Sequence, residues 1–294
     1  MFKGDRYEFG IRTVACSQCG LIFTSPRPPD DWFEKFYRYH YRQYYESVSV
    51  PDEAYLNRDW IKGRHTRNVN LLASLLPTKG TILDIGCAEG TFLDLFRREF
   101  PCWTLHGIEP SEDFSKFAVA HYGLQGVAMA KFEELSVRYL PSSFDLITAS
   151  HVLEHLLSPD DFFKTARVLL KPGGLLFIDV PDAEGDVKGI SNLHIGHVYH
   201  FSSGSLDQFL AKHGFTKVRA QKGDEKPIRW TFQVVARKAA SLPSWKPATV
   251  DIKRIARDFR KHCQIGWTDR ISKVVKPVKR SVAGLFRAPT AEAS

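Results

Sequence analysis

The stretch TILDIGCAEGTFLDLF, residues 81–96, decides the fold. An apolar run of strand type leads into a glycine-containing turn, and a helix pattern starts directly after it. Units of this kind usually bind a nucleotide phosphate on the free N–H groups of the helix N-terminus. This turn, however, carries Asp84 and Glu89, whose negative charges would repel a phosphate. The stretch therefore predicts a nucleotide-type fold with a different kind of ligand.

Strand-like and helix-like segments alternate on both sides of this stretch, from about residue 60 to residue 238. Continuous apolar strands separated by amphipathic helices are typical of a parallel sheet covered on both faces. We therefore predict an α/β fold with a Rossmann-like, doubly wound and mostly parallel sheet. In such sheets the ligand lies beyond the carboxyl ends of the strands, near the topological switch point.

The turn reads G-C-A-E-G and lacks the middle glycine of the dinucleotide fingerprint G-x-G-x-x-G. Gly86 and Gly90 still allow the backbone to approach a ligand closely. The acids suit a ligand with a positive amino group or sulfonium and no phosphate. Glu109 ends the next strand, 23 residues after Gly86, where an acid typically binds ribose hydroxyls. The alternative for each acid is a solvated loop carboxylate or a helix cap.

Four segments, in this order, resemble the motifs of class I S-adenosylmethionine-dependent methyltransferases: ILDIGCAEGTFL, GIEPS, FDLITASHVLEHL and LLKPGGLLFIDVP. The resemblance covers roughly residues 60–238. The pattern CxxCGLxFTxPRP before this region is similar to that of a subgroup that methylates sugars and other small molecules. The resemblance implies the class I methyltransferase fold. The aromatic N-terminal region and the basic C-terminal region add a cap and a helical tail to the predicted fold.

The resemblance also implies S-adenosylmethionine as the cofactor. Its methionine part would lie on Asp84, Gly86, Ala88 and Gly90, and its ribose on Glu109. We expect the Phe132 ring to pack against the adenine of the cofactor. The alternative is that Phe132 is a buried residue of the hydrophobic core. The complete predicted cofactor set is Asp84, Gly86, Cys87, Ala88, Glu89, Gly90, Glu109, Pro110, Phe132, Ser150 and His151.

The segment HVLEH, residues 151–155, also fits the inverted zinc-protease pattern H-x-x-E-H. That pattern needs both histidines on one helix face and a further ligand. Here the segment directly follows a buried strand, which favours a structural or cofactor-adjacent role. We expect no bound metal.

The segment NLHIGHVYHFSSGSL follows the strand LLFIDVP, which places its histidines at the carboxyl edge of the sheet. Histidine is the natural general base near neutral pH. Similar sugar methyltransferases carry a catalytic His in an H-x-x-x-F-S setting, which corresponds to His197, but they often have Glu where this chain has Gly196. His155 and His194 are further catalytic candidates. The alternative is that these histidines are packing or capping residues.

Two features lie in the N-terminal region. CSQCG, with Cys16 and Cys19, is half of a four-ligand zinc site, and no second pair precedes it, so we predict free thiols and no zinc. The rest of this region is aromatic and irregular. The segment WFEKFYRYHYRQYY is either a lid over the cofactor or the apolar face of a packed helix. The five cysteines, an odd number, do not indicate a disulfide framework.

The net charge of +8 is concentrated at the C-terminal end, where residues 241–294 hold 12 Lys/Arg and 4 Asp/Glu. Ile252, Ile255, Phe259 and Cys263 form one apolar stripe among basic residues. Such a segment suits an anionic membrane surface, here through residues 250–286, or packs on its own domain. We predict three regions: a cap or lid (1–58), the cofactor-binding domain (59–240) and the basic tail (241–294).

The leading hypothesis is methyl transfer to a hydroxyl of a sugar or other small molecule, for example in polysaccharide or glycolipid synthesis. The first alternative, a nucleic-acid methyltransferase, is not expected, because the N-P-P-Y type signature is missing and residues 1–240 carry no net charge. The second alternative is a non-catalytic binding module.

The sequence has no secretory signal and no apolar run of about 20 residues, so we expect a cytoplasmic protein. It would be peripheral at the inner face of a membrane if the tail binds lipid.

Overall fold

The apolar segments of the sequence form the strands of two sheets in a computed structural model, which describes residues 11–43, 48, 50–184, 194–222 and 231–259. The strands are β1 (Thr13–Ala15), β2 (Ile22–Thr24), β3 (Lys79–Ile85), β4 (Cys102–Glu109), β5 (Val127–Met129), β6 (Phe144–Ser150), β7 (Leu170–Pro181), β8 (Tyr199–His200), β9 (Phe215–Lys222) and β10 (Thr231–Lys238). The helices are α1 (Asp30–Tyr39), α2 (Glu53–Leu56), α3 (Asp59–Ala73), α4 (Thr91–Glu99), α5 (Glu112–Tyr122), α6 (Leu135–Arg138), α7 (Pro159–Leu169) and α8 (Ser203–Lys212).

The larger sheet has the strand order β5-β4-β3-β6-β7-β10-β9. The first five of these strands run parallel, and β10 is antiparallel to both of its neighbours. The chain runs outward from β3 to β5 and then crosses to β6 on the other side of β3. The switch point therefore lies at the carboxyl ends of β3 and β6. This topology confirms the predicted Rossmann-like, mostly parallel fold.

Alternate residues of β3 face the two helical layers, because successive strand side chains point to opposite faces. Ile82 belongs to the apolar cluster that contains Phe96 of α4, and Leu83 to the cluster that contains Phe163 of α7. All four side chains are fully buried. Burial of each such side chain is worth about 1.5–3 kcal/mol. The sheet is thus packed on both faces, which leaves its carboxyl edge for a ligand.

The N-terminal region is more regular than the sequence predicted. β1 and β2 pair antiparallel, and β2 also pairs with β8, with Ile22 opposite His200. Local periodicity could not show this pairing, because its partners are about 180 residues apart in the sequence. Cys16 and Cys19 lie in the turn between β1 and β2 as free thiols. The pairing of β2 with β8 therefore attaches the histidine-containing segment before β8 to the N-terminal region.

The C-terminal part of the described chain includes a helix over residues 252–259. Its Ile255 side chain lies over Gly20, where a Cβ would stand 2.7 Å from Ile255 Cδ1. Phe259 packs against a cluster that contains Phe36 of α1. The described part of the predicted apolar stripe thus contacts the chain itself, while Cys263 and the remainder of 250–286 lie outside the described residues.

Among the described helices, none is long and apolar enough to cross a membrane.

Candidate functional site

The glycine turn after β3 forms one wall of a cleft at the carboxyl edge of the sheet. Gly86 has φ +70°, and a Cβ there would lie 2.5 Å from Val152 Cγ2, so only glycine fits without displacement. The Gly86 and Cys87 amides donate hydrogen bonds to the Ile108 carbonyl, at 2.9 and 3.0 Å. These bonds join the turn to the end of β4. Gly90, which precedes α4, does not line the cleft and instead packs against Leu124.

Glu109 lies at the end of β4 with its side chain almost fully buried. Its carboxylate accepts hydrogen bonds from the Ala88 amide (3.1 Å) and the Ser111 amide (3.0 Å). Arg42 Nη2 lies 3.5 Å from the same carboxylate, and its guanidinium stacks over the Phe114 ring. Glu109 is therefore fixed at the mouth of the turn, as the sequence prediction of a ribose-binding acid requires. Ribose hydroxyls would compete with Arg42 for it.

Asp84 is the second buried carboxylate at the turn and accepts a hydrogen bond from Thr148 Oγ1 at 2.6 Å. Burial, reinforced by the negative charges of Glu89 and Glu109, raises the pKa of Asp84 to about 7, against the opposing effect of the Thr148 bond. Glu89 is also buried. Three acids thus surround one turn, a charge pattern that favours a cationic ligand and disfavours a phosphate.

Ser150 ends β6 at the same edge of the sheet, and His151 follows it directly. Ser150 Oγ donates to the Asp179 carboxylate at 3.0 Å, and Asn68 Nδ2 of α3 lies 3.3 Å from Ser150 Oγ. His151 has φ +55°, and its amide donates to the Asp179 carbonyl at 2.8 Å. Pro110 and Phe132 also line the cleft, and the Phe132 ring lies 5.9 Å from that of Phe162. Phe132 therefore forms part of the cleft wall and also packs against the hydrophobic core.

The three candidate catalytic histidines lie close to one another and line the same cleft. The His155 and His197 ring centroids are 4.7 Å apart, and those of His194 and His197 are 3.8 Å apart. Burial is the main cause that lowers the pKa values of His155 and His197, the latter well below the usual value. Both imidazoles are thus neutral at physiological pH and able to accept a proton or to bind a cation.

Two tyrosines from the aromatic N-terminal segment cover this histidine cluster. The Tyr37 hydroxyl donates to the Gly196 carbonyl and lies 2.9 Å from His155 Nδ1. The Tyr41 hydroxyl lies 3.3 Å from His155 Nε2. The described part of this segment, residues 32–43, therefore packs on the histidine cluster, and its role as a lid over the cofactor stays a prediction.

The cleft has a volume of about 1180 Å³. Pockets for one drug-sized ligand measure roughly 300–1,000 Å³, so this cleft has room for a nucleoside cofactor and a small acceptor. S-adenosylmethionine fits the residues present, because its amino group and sulfonium are cationic and the turn offers three buried carboxylates. The predicted cofactor residues other than Gly90 line this cleft, and their individual roles stay predictions.

Several site residues were missed by the sequence analysis. Arg42 and Asn68 line the cleft, and Tyr37 and Tyr41 were recognised only as part of an aromatic segment. Asn68 carried a usable signal, since it is a polar residue on the buried face of α3 next to Val69. It donates to Ser150 and accepts from Gln233 of β10. No local sequence pattern indicated a role for Arg42, because its partner Glu109 is distant in sequence.

A family model described as a methyltransferase domain matches residues 53–220. The ubiquinone biosynthesis O-methyltransferase of Caulobacter vibrioides is 32% identical over 110 residues, which are 36% of this chain and 43% of that protein. The tRNA U34 carboxymethyltransferase of Pseudoalteromonas translucida is 36% identical over 121 residues, 40% of this chain and 37% of that protein. The chain thus spans less than half the length of these curated relatives.

Among solved structures, the 1,6-didemethyltoxoflavin-N1-methyltransferase of Burkholderia thailandensis superposes with a TM-score of 0.57. The two are 14% identical, and the match covers 74% of this chain and 96% of that chain. At this identity the likeness shows the fold alone.

Proposed function

The chain belongs to the family defined by this methyltransferase domain, whose cofactor is S-adenosylmethionine, and we propose that it methylates a hydroxyl of a sugar or other small molecule. One observation carries the proposal: a buried histidine cluster and the acid-lined turn line the same cleft. Such a cluster supplies proton acceptors, which a hydroxyl needs before it becomes a strong nucleophile.

When bound, S-adenosylmethionine supplies an activated methyl group on a sulfonium. In the proposed arrangement, Glu109 orients the ribose, and Asp84 and Glu89 favour the positive charges of the methionine part. Tyr37 and Tyr41 exclude water from the acceptor end. His197 would take the proton of the acceptor hydroxyl on a ring nitrogen, and the oxygen would keep the electron pair that forms the new bond to carbon. The carbon–sulfur bond would break at the same time, with its electron pair left on sulfur, so that S-adenosylhomocysteine leaves as a neutral thioether. Much of the rate would come from alignment of the reactants.

The covered position of the histidines supports a small acceptor over a polymer. Tyr37 and Tyr41 pack over His155 with ring-centroid distances of 5.5 and 5.1 Å. An acceptor must fit beneath these rings, which suits a single sugar or a small ring compound. A tRNA acceptor is the second candidate, favoured by the similarity to the tRNA-modifying relative and by the basic tail.

The first experiment is calorimetric titration of the purified chain with S-adenosylhomocysteine, in wild type and in Glu109→Ala. We expect binding in the micromolar range that weakens in the variant. A folded wild type that does not bind would defeat the enzyme proposal and favour a non-catalytic binding module.

Acceptors are then screened by transfer of a labelled methyl group from S-adenosylmethionine. The panel contains free and nucleotide-linked sugars, catechol-type rings and unmodified tRNA. Label on a sugar or other small hydroxyl compound supports the proposal, and label on tRNA alone would replace it with the second candidate.

A further inference from the structure

Glu154 is a buried carboxylate to which the proposed function gives no role. Its side chain is 1% exposed, and neither carboxylate oxygen has a hydrogen-bond partner among the described residues. His151 Nδ1 lies 3.2 Å from Oε1, but without hydrogen-bond alignment. A buried charge without hydrogen bonds is costly, and proteins normally compensate it with a proton or a cation.

His155 and His197 lie next to this carboxylate. One ligand-type atom from each of Glu154, His155 and His197 lies within 4.8 Å of the others. The backbone maintains this proximity, because the Val198 amide donates to the Glu154 carbonyl at 2.9 Å. The group therefore combines residues from the loop after β6 with residues from the segment before β8, which are more than 40 positions apart.

The tautomer of His155 suits a ligand. Its Nδ1 lies 2.9 Å from the Gly196 carbonyl, an oxygen that can only accept, so this nitrogen carries the proton. The lone pair is then on Nε2, where the Tyr41 hydroxyl makes a long contact of 3.3 Å that a cation would replace. Metal-binding histidines almost always donate their other N–H in this way to a carbonyl or carboxylate.

We propose that Glu154, His155 and His197 bind a divalent first-row transition cation. Two imidazoles and one carboxylate on one side of an ion form a known coordination set that leaves positions open. Ligand atoms on a tetrahedral ion lie roughly 3.4 Å apart, so closure needs a movement of at most about 1.5 Å. His155 and His197 line the cleft, so the open positions face the acceptor end. This site departs from our expectation of no metal, and it uses His197, which lies outside the H-x-x-E-H segment.

The role of the ion rests on the proposed function. A divalent cation lowers the pKa of an oxygen ligand, as it does for bound water, so it would favour ionisation of an acceptor hydroxyl near pH 7. His197 then acts as a ligand, and the proton passes to His194, whose ring centroid is 3.8 Å from that of His197. An acceptor with two neighbouring oxygens would occupy the open positions best.

The test uses the full chain, stripped with a chelator and titrated with Co²⁺, whose visible absorption reports its coordination. Three variants are compared with wild type: Glu154→Gln, His197→Gln and the exposed control His121→Gln. We expect one equivalent of bound Co²⁺ in wild type and in the control, and affinity about 100-fold lower in the other two. Near-ultraviolet circular dichroism verifies that each variant is folded.

Absence of a Co²⁺ band in wild type overturns the proposal by itself, even if a variant fails to fold. A band that persists unchanged in Glu154→Gln also overturns it, because it shows that Glu154 is not a ligand of the ion. S-adenosylhomocysteine is titrated in the same samples. Cofactor binding without Co²⁺ binding removes this inference alone, and Co²⁺ binding without cofactor binding removes the proposed function alone.

Discussion

The carboxylate of Glu109 accepts a hydrogen bond from the backbone amide of Ala88 at 3.1 Å. This bond connects the end of β4 with the glycine turn after β3. The turn and the acid that faces it therefore form one unit, in which a change to either residue alters the position of the other. A second bond from the Ser111 amide fixes the remaining carboxylate oxygen.

Glu109→Ala is expected to weaken S-adenosylhomocysteine binding by about 10- to 100-fold. The variant loses a hydrogen bond from the ribose to a charged acceptor, which is worth roughly 1.5–3 kcal/mol. Calorimetry measures the change. Glu112→Gln serves as the control, because Glu112 is an exposed acid at the start of α5. Equal affinities in wild type and Glu109→Ala would show that the ribose does not lie on this residue.

Cofactor binding should depend on pH through Asp84, whose pKa in the folded chain is about 7 against an ordinary value of 3.8. A cationic ligand favours the ionised carboxylate, so binding releases a proton. At pH 6 the carboxylate is mostly protonated, and affinity should be about 10-fold lower than at pH 8. Calorimetry in two buffers of different ionisation enthalpy measures the released proton. Asp84→Asn should abolish the release, and a release that persists in this variant contradicts the assignment.

The same pKa has a consequence for folding. Between pH 4 and pH 7 the folded chain holds a proton on Asp84 that the unfolded chain has lost. The free energy of unfolding should therefore fall as pH rises through this window, by on the order of 4 kcal/mol from this group. Urea unfolding of wild type and Asp84→Asn at both ends of the window checks the sign. A wild-type slope equal to that of Asp84→Asn would count against it.

If His197 is the general base of the proposed function, with no cation bound, His197→Gln is expected to lower kcat by about 10²- to 10⁴-fold once an acceptor is identified. Affinity for S-adenosylhomocysteine should change little, since His197 lies at the acceptor end. Steady-state kinetics and calorimetry separate the two effects. His121→Gln is the matched control on the surface. A His197 variant with kcat within twofold of wild type would argue that this histidine only packs.

Gly86→Ala should destabilise the fold by more than Gly123→Ala. Both glycines have positive φ, +70° and +67°, so both substitutions carry left-handed strain of about 1–2 kcal/mol. Only at Gly86 would the Cβ also meet another atom, Val152 Cγ2 at 2.5 Å, whereas nothing lies within 4 Å at Gly123. Overpacking adds roughly 1–3 kcal/mol. Urea midpoints of the two variants measure the difference.

The double variant Gly86→Ala/Val152→Ala tests the steric part of this argument. It should recover most of the excess destabilisation, because truncation of Val152 removes the contact while the strain remains. No recovery would mean that the excess cost has a different origin.

Sequence patterns predicted the central domain well, because its signals are local. The apolar run of β3, the turn at Gly86 and the acid at Glu109 are close enough in the chain for their order and spacing to show the fold. Helix α7 shows that a helix start also depends on local residues. Ser158 accepts a hydrogen bond from the Asp161 amide and is followed by Pro159, a residue suited to the first turn of a helix. Phe132 remained ambiguous, because an aromatic side chain fits both a cleft wall and a core.

By itself, the sequence determined the Rossmann-like sheet, the acid-lined turn and the cationic character of the ligand, since periodicity and spacing encode these features within short stretches. Only the tertiary structure decided which distant side chains meet. It placed Tyr37 on His155, Arg42 on Glu109, and His197 beside the buried carboxylate of Glu154. These contacts join residues about 40 to 120 positions apart, and their geometry follows from sheet pairing and core packing, which no local pattern records.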